Sequence, residues 1–323
     1  MAQQGGTMPE PTRWGRFRGS EAANGLAMIS PTALYATLLL AAPLVTILLY
    51  SFWTDGYLTI YKVFTLCNYF GDCASYKTNA NGEMEVAKTY LGVWSDPLAR
   101  TLLMRSLIVA LIVTFVTVVL AFPVAYFVSF FVNPSKKSLW LFLITIPFWT
   151  SYLIRVFLWK VILGTGGVIN TGLMELGLID QPISWLLYNV NSVIITLAHA
   201  YAPFAILPIF VALEKIDRSL LEAGRDLGES PFMTFFRVTL PLAMPGVISS
   251  VLIVFIPTVG DYVTPKLVGG PEGLLVANLI ELNYKKLDNY PLGSALAVST
   301  MGVVLIISML FLFLNRRFLK GNK

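Results

Sequence analysis

The chain has 323 residues, of which 56% are hydrophobic and only 13% are charged, and its mean hydropathy is +0.71. A water-soluble globule needs more polar surface than this composition supplies, so the sequence predicts an integral membrane protein. The net charge of +5 would suit nucleic acid in a soluble chain, but here the Lys and Arg residues lie beside apolar runs. Such positions orient helices in a membrane, and no nucleic-acid partner is expected.

Six apolar runs are predicted to cross the membrane as helices, because a bilayer core of about 30 Å needs roughly 20 apolar residues per helix. They are 32–53, 106–132, 138–163, 191–212, 239–260 and 295–315. Lipid offers the backbone no hydrogen-bond partner, and the sequence lacks the alternation of a membrane barrel. The expected fold is therefore all-α. A transmembrane domain at 32–315 follows an N-terminal arm at 1–31 and precedes a tail at 316–323.

The distribution of Lys and Arg predicts the orientation of these spans. With the N-terminus inside, 13 of these residues fall on the inner side and 7 on the outer side, while Arg155 and Lys160 fall within the third span and Arg105 stands at the edge of the second. The positive-inside bias therefore places both ends of the chain, and the loop between spans four and five, in the cytoplasm. Charges interrupt the third span, so its outer end is expected to meet protein or water.

Two cysteines lie in the first outer loop, in the segment CNYFGDC. An oxidising compartment outside the membrane would permit a disulfide between Cys67 and Cys73. Two free thiols are the alternative, and the sequence leaves both open.

The loop at 213–241 carries helix signals of its own. Its first part, 213–227, has leucine and isoleucine at helical spacing with charged residues between them, which predicts an amphipathic helix at the membrane surface. Asp217 or Ser219 can cap this helix, and Gly228 can adopt the left-handed conformation that ends it. The sequence therefore predicts a helix followed by a sharp turn.

A second short helix is predicted to follow that turn. Ser230 supplies an N-cap and Pro231 suits the first helical turn. Pro241 and Pro245 are expected to end the segment and bend the chain into the fifth span. We call the whole arrangement, residues 213–241, the elbow. An ordinary loop with solvated charges is the alternative.

The spacing within the elbow favours a specific function. The order along the chain is Glu222, Ala223, Gly224, then Gly228, then Val238, Leu240 and Pro241. This order resembles the EAA motif of ATP-binding-cassette (ABC) importer permeases, which reads EAA, then G, then I-x-L-P. Gly224 replaces the second alanine and Val238 replaces the isoleucine.

The resemblance extends from about residue 100 to the end of the chain. The segments 146–170, 201–228 and 254–270 are similar to the spermidine/putrescine subgroup of these permeases. The resemblance implies a type I importer fold, with six transmembrane helices and the elbow as a cytoplasmic coupling helix. It also implies a multi-pass protein of the bacterial inner membrane that moves a small cationic solute by alternating access.

The same resemblance implies a set of partners. The coupling helix would dock on a cytoplasmic ABC ATPase subunit, with Glu222, Arg225 and Asp226 on the contact face and with Ala223 and Gly224 permitting close approach. The sequence has no Gly-Lys dipeptide and so no phosphate-binding P-loop. ATP and Mg²⁺ are therefore expected on the partner, with no cofactor in this chain. A second, different permease, a periplasmic solute-binding protein and membrane lipid complete the expected assembly.

Acidic and aromatic residues near the outer face are candidates for contact with a cationic solute. These pathway candidates are Asp261, Tyr262, Glu281, Trp149 and Arg155. A structural ion pair of Asp261 with Arg155 or Lys160 is the alternative. His199, the only histidine, is expected to fill a hydrogen bond between helices.

Other classes of function fit the sequence less well. Two cysteines and one histidine cannot form a usual zinc site, and no nucleophile and base are legible, so an enzyme is not expected. A stand-alone secondary transporter would show an internal repeat, which is not evident, and would not need the elbow. A scaffold subunit would not need it either. An ABC permease for another small organic cation or an amino-acid-like solute stays open.

Overall fold

The computed structural model describes residues 21–56, 59–79 and 83–319 of the chain. Most of the predicted N-terminal arm, and the last four residues of the tail, lie outside these ranges. The chain divides into two compact units, at 1–50 and 51–323. The described part of the first unit is one helix, α1, which spans Glu21–Ser51 and contains an apolar stretch of 25 residues. The first predicted span is thus a helix long enough to cross a membrane.

The second unit begins with two short antiparallel hairpins, which the sequence analysis did not predict. Strand β1 (Thr54–Asp55) pairs with β2 (Ile60–Tyr61), and β3 (Asp72–Thr78) pairs with β4 (Met84–Leu91). Cys73 lies in β3 and points to the buried side of the hairpin. These strands lie in the loop between spans one and two and leave the helical membrane domain unchanged.

Helices form the rest of the second unit. The first group is α2 (Pro97–Phe130), α3 (Pro134–Thr145), a 3-10 turn (Ile146–Trp149), α4 (Tyr152–Leu163) and α5 (Val168–Glu175). The second group is a 3-10 turn (Ser184–Leu186), α6 (Val190–Glu214), α7 (Arg218–Asp226), α8 (Pro231–Thr234) and α9 (Leu240–Val259). The last group is α10 (Val276–Lys285), α11 (Tyr290–Leu314) and α12 (Arg316–Leu319). Two π turns, Phe235–Thr239 and Pro265–Gly269, precede α9 and α10 respectively.

The third span differs from its predicted course. The sequence predicted one helix over 138–163, but the backbone of Thr150 is extended and separates α3 and its 3-10 turn from α4. Pro147 lacks an amide hydrogen, and its carbonyl accepts the Thr150 hydroxyl at 2.8 Å. The stretch long and apolar enough to cross the membrane here is Tyr152–Glu175. Hydropathy therefore predicted a span in the correct region, but the break at Thr150 places the spanning helix later in the chain than predicted.

The main core lies where α2, α6 and α9 pack together. Val113, Leu197 and Ile209 are fully buried there. Gly246 on α9 permits close approach, because a Cβ atom at this position would lie 2.5 Å from the carbonyl oxygen of Pro208 on α6. A second cluster joins the start of α2 to α9, α10 and α11. Large apolar side chains cover the outer surface of these helices, as expected for helices that face lipid.

The membrane fold is confirmed in its main features. Six helical stretches among the described residues are long and apolar enough to span a membrane, and their order matches the prediction. Within a helix the backbone N–H and C=O groups pair with each other. The helix can therefore face lipid, which offers no hydrogen-bond partner.

Candidate functional site

The first limb of the elbow is α7, and its start follows from one side chain. The carboxylate of Asp217 accepts the backbone N–H of Ser219 at 3.0 Å and caps the helix. The hydrogen bonds from the backbone and side chain of Ser219 hold the pKa of Asp217 below its usual value. Of the two predicted caps, Asp217 is therefore the correct one. The limb ends at Gly228, whose φ of +80° is the predicted left-handed conformation.

The second limb of the elbow is α8 with the π turn that follows it, and it begins at the predicted cap, Ser230. The hydroxyl of Ser230 accepts the backbone N–H of Met233 at 3.3 Å. An ion pair of 2.7 Å between Glu229 and Arg237 crosses this limb. The turn and the second limb therefore have a defined geometry, which the alternative of an ordinary solvated loop does not explain.

Gly224 has a different role from the one predicted. It is buried inside the elbow, and a Cβ atom at this position would lie 3.3 Å from the Cγ2 of Thr234 on the second limb. Thr234 is buried as well. Gly224 therefore allows the two limbs to pack against each other, and is not a surface on which another protein could approach. Ala223, beside it, is exposed.

The outward face of the elbow combines charge with exposed apolar side chains. Glu222, Arg225 and Asp226 are exposed on α7. Leu227 at the turn is 86% exposed, and Phe232 is exposed on the second limb. A compact surface with an alternating charge pattern and two protruding apolar side chains is typical of a protein contact.

The prediction that Pro241 and Pro245 end the elbow is wrong. The chain stays helical from Pro231 to Val259, because a π turn connects α8 to α9 and Leu240 donates its N–H to the carbonyl of Phe235. Pro241 then falls in the first turn of α9, where a missing N–H is tolerated. Val238, Leu240 and Pro241 are half-buried. The second limb therefore continues without a break into the fifth span.

The root of the elbow is fastened to two other helices. The carboxylate of Glu214, the last residue of α6, accepts the hydroxyl of Ser129 on α2 and the ammonium of Lys137 on α3, both at 2.6 Å. Arg218 on α7 donates to the carbonyl of Ser129 at 3.3 Å. Sequence reasoning missed this cluster, because its members are 77 and 85 residues apart along the chain. The root of the elbow is therefore joined to α2, α3 and α6.

At the other end of the fifth span, Asp261 is enclosed in hydrogen bonds and is only 8% exposed. Its carboxylate accepts the hydroxyl of Tyr152 on α4 at 2.6 Å and the N–H of Val263 at 2.9 Å. The Tyr152 oxygen also lies 2.6 Å from the hydroxyl of Thr264. The result is a buried carboxylate between α4 and the turn after α9.

The alternative ion pair of Asp261 is wrong. The Arg155 guanidinium donates to backbone carbonyls instead, at 3.3 Å to Ala200 and 3.3 Å to Thr150, with a further bond to Pro147. Lys160 lies 5.8 Å from the centroid of the Tyr188 ring. Arg155 thus ties the break before α4 to α6. These bonds to backbone carbonyls give Arg155, one of the pathway candidates, a structural role.

Tyr262 and Glu281 meet around a lysine and not around Asp261. Glu281 accepts Lys266 at 2.7 Å and Lys285 at 3.1 Å, and the Lys285 ammonium lies 5.5 Å from the Tyr262 ring centroid. Burial raises the pKa of Glu281, but the two lysines outweigh this effect and keep it below its usual value. Trp149, the remaining aromatic candidate, is 80% exposed at the end of its 3-10 turn.

His199 makes the predicted contact between helices. Its Nδ1 accepts the indole N–H of Trp159 at 3.0 Å, which joins α6 to α4. Within the described ranges, no group of three His, Cys, Asp or Glu side chains could hold a metal ion.

Cys67 and Cys73 are joined in the structure, with their Cα atoms 5.3 Å apart. That the disulfide forms in the cell stays a prediction. We expect a thiol-reactive polymer to shift the protein on a gel only after reduction, because both sulfurs are occupied before it. A shift of the untreated protein would show free thiols, and a Cys67→Ser, Cys73→Ser variant controls for other reactive groups.

Comparisons with known proteins extend beyond the elbow. A family model described as binding-protein-dependent transport system inner membrane component matches residues 88–320. The chain is 41% identical to the spermidine/putrescine transport system permease protein PotB of Haemophilus influenzae, over 59% of this chain and 66% of that protein. It is 39% identical to PotB of Escherichia coli K12, over 53% of this chain and 63% of that protein. These alignments therefore span less than two thirds of either relative.

A third relative and two solved structures widen the comparison. The inner membrane ABC transporter permease protein YdcU of Escherichia coli K12 is 30% identical over 68% of this chain and 72% of its own length. A chain of a bacterial alginate ABC transporter matches with a TM-score of 0.66 at 15% identity, covering 95% of this chain and 98% of its own. A chain of the MetNI methionine ABC transporter matches with a TM-score of 0.52 at 19% identity, covering 68% and 96%. At these identities the two structures share the fold.

Proposed function

The chain belongs to the family of binding-protein-dependent transport system inner membrane components, and from this premise we propose that it is the permease subunit of an ABC importer for a small organic cation. The preferred solute is a polyamine such as spermidine or putrescine. The observation that carries the proposal is the elbow, with its exposed charged face, its turn at Gly228 and its fastened root.

The elbow supports coupling to a separate ATPase. The face formed by Glu222, Arg225 and Asp226 offers charges of both signs, and Leu227 and Phe232 protrude beside them. Buried aromatic and aliphatic anchors surrounded by charged contacts are the usual composition of a specific interface. Closure of the ATPase subunits on ATP would move this face, and the chain itself needs no nucleotide site. The elbow and both ends of the chain then lie in the cytoplasm.

The cluster around Glu214 explains how such a movement would reach the membrane. It joins the end of α6 to Ser129 on α2 and Lys137 on α3. The second limb continues directly into α9. Packed helices shift between discrete arrangements more readily than they deform, so a push on the elbow would move these helices as bodies. Access to a central cavity would then alternate between the two sides of the membrane.

The remaining partners follow from the same role. A periplasmic solute-binding protein would deliver the cation to the outer loops, and a second permease of different sequence would complete the pathway. Similarity to the two PotB proteins supports the polyamine over other small cations. In this proposal Asp261, which the predicted topology puts near the outer face, would carry the negative charge that attracts a polyamine ammonium.

Substitution of Glu222 by lysine tests the coupling role. We expect the variant to lose most of its ATPase subunit during co-purification, because a reversed charge at an interface opposes the original contact. The matched control is Glu175→Lys, which reverses an exposed charge on α5, away from the elbow. Equal retention of the ATPase by both variants would refute the elbow as the docking face. Uptake that persists without any ATPase would instead favour a secondary transporter.

Substitution of Asp261 by asparagine tests the pathway role. The side chain keeps its size and loses its charge, and we expect uptake of radiolabelled spermidine to fall by about tenfold or more, which corresponds to roughly 1.4 kcal/mol of lost interaction. Tyr152→Phe is the comparison, since it removes the 2.6 Å hydrogen bond and leaves the carboxylate in place. Normal uptake by Asp261→Asn would remove the residue from the pathway, and an equal loss in both variants would identify a structural role.

A further inference from the structure

A cavity of about 490 Å³ lies between the first turns of α2, the second π turn and α10. Its apolar lining consists of Leu98, Leu102, Pro271, Leu274, Leu279 and Leu282. Four cationic residues, Arg105, Lys266, Lys285 and Lys286, also line it, with Glu281 as its single acid.

The charge of this cavity excludes the solute proposed above. Four cations against one carboxylate leave an excess of positive charge, even though Glu281 is bonded to both Lys266 and Lys285. Arg105 is held in position because it donates to the carbonyl of Glu272 at 2.7 Å. A polyamine would be repelled here, and an anion would be attracted. Glu281 is therefore better explained as part of this basic site than as a step on a cation pathway.

Two membrane helices indicate where the cavity lies relative to the bilayer. The uncharged run of α2 begins at Ser106, directly after Arg105. The uncharged run that contains α11 begins at Asn289, three residues after Lys286. Both cations thus stand at the edge of a stretch long enough to cross the hydrocarbon core. This edge is the level of the lipid headgroups.

The apolar lining of the cavity is partly exposed, beside the cations that lie at the level of the lipid headgroups. Leu98 is 55% exposed and Leu282 is 38% exposed, so the cavity has an open apolar wall beside its cations. An amphiphile with an anionic head and an apolar tail matches both halves of this lining. A free inorganic anion would use the cations and leave the leucines in contact with water.

We propose that this cavity binds an anionic phospholipid. The phosphate lies among Arg105, Lys285 and Lys286, and an acyl chain lies along Leu98 and Leu282. The lining residues lie on α2, on the second π turn, and on α10 with the segments beside it, and the proposal does not depend on which solute the permease carries.

The test uses the full-length chain in nanodiscs of phosphatidylcholine with a rising fraction of phosphatidylglycerol. Native mass spectrometry counts the lipid molecules that stay bound to the protein after it is released from the nanodisc. The variant is Lys285→Gln with Lys286→Gln, which leaves Lys266 to neutralise Glu281. Each surface cation contributes about fivefold to the affinity for an anionic membrane lipid, so we expect phosphatidylglycerol to bind roughly thirtyfold more weakly to the variant. Lys62→Gln with Lys77→Gln, in the first outer loop, is the matched control and should bind as the unmodified chain does.

Two further measurements separate the outcomes. Leu98→Ser should weaken retention of phosphatidylglycerol, but should not change binding of inorganic phosphate in detergent. The proposal is overturned if phosphatidylglycerol is retained no better than phosphatidylcholine, or if both lysine pairs have equal effects. It is also overturned if inorganic phosphate competes fully and Leu98→Ser has no effect, since the site would then recognise a free anion.

Discussion

Replacement of Gly228 by valine is expected to abolish ATP-dependent uptake, while replacement by asparagine is expected to preserve most of it. Gly228 has a φ of +80°, and no heavy atom lies within 4 Å of a Cβ placed there. The cost is therefore one of backbone conformation and not of space. A left-handed conformation costs an ordinary residue about 1–2 kcal/mol, with more for a β-branched side chain and less for asparagine. Valine would relieve this strain by turning the second limb away from the first.

That rotation would separate Gly224 from Thr234, whose contact depends on the turn. The measurements are radiolabelled spermidine uptake and co-purification of the ATPase subunit. Gly177→Val is the matched control, because Gly177 has a similar φ of +69° and is likewise open, but it lies outside the elbow. If both valine variants transport equally well, the geometry of the turn has no part in coupling. If the asparagine variant fails as completely as the valine variant, the backbone explanation is wrong.

Replacement of Gly246 by alanine is expected to destabilise the membrane domain. The added Cβ would lie 2.5 Å from the Pro208 carbonyl oxygen and 2.6 Å from the Ala212 Cβ, so α9 and α6 must move apart. Overpacking of this kind costs about 1–3 kcal/mol. In membranes, close contact between helices at small residues is a main source of association, which makes the loss harder to offset elsewhere. The check is the thermal unfolding midpoint of the purified chain in detergent.

The sign of the effect distinguishes packing from helix propensity. Glycine inside a helix is less stable than alanine by about 0.5–1 kcal/mol, so an alanine without a clash should raise the midpoint. Gly302→Ala provides this control, because Gly302 lies inside α11 and a Cβ there has no heavy atom within 4 Å. We expect Gly302→Ala to raise the midpoint slightly and Gly246→Ala to lower it by several degrees. An increase in both would contradict the close approach of α6 and α9.

These two glycines lie at the ends of one mechanical connection. Gly228 sets the angle between the limbs of the elbow, and the second limb runs as one helix into α9, where Gly246 packs on α6. The Glu214 cluster joins the same end of α6 to α2 and α3, because Glu214 lies two residues after Ala212. A movement of the elbow can thus reach the core of the membrane domain by two routes, one through α9 and one through α6.

Sequence reasoning predicted the elbow well because its signals are local. The cap at Asp217, the turn at Gly228 and the cap at Ser230 each depend on residues within three positions along the chain. It failed at Pro241, where it treated proline as a helix end. Pro241 follows a π turn and falls in the first turn of α9, where its missing N–H does not end the helix, and nothing in the local spacing had indicated this π turn. The hairpins of the first outer loop were missed because β3 and β4, with 7 and 8 residues, show no strict alternation of polar and apolar side chains.

The sequence by itself determined the membrane class, the number and order of the six spans, and the first limb and the turn of the elbow. These features follow from composition and from the spacing of neighbouring residues, because transfer into lipid and helix capping are local free energies. The tertiary structure alone decided the partners of the charged residues. Asp261 meets Tyr152 from 109 residues away, and Arg155 meets the carbonyl of Ala200 instead of a carboxylate. Such contacts depend on which faces of two helices pack together, and that choice is made by the whole core.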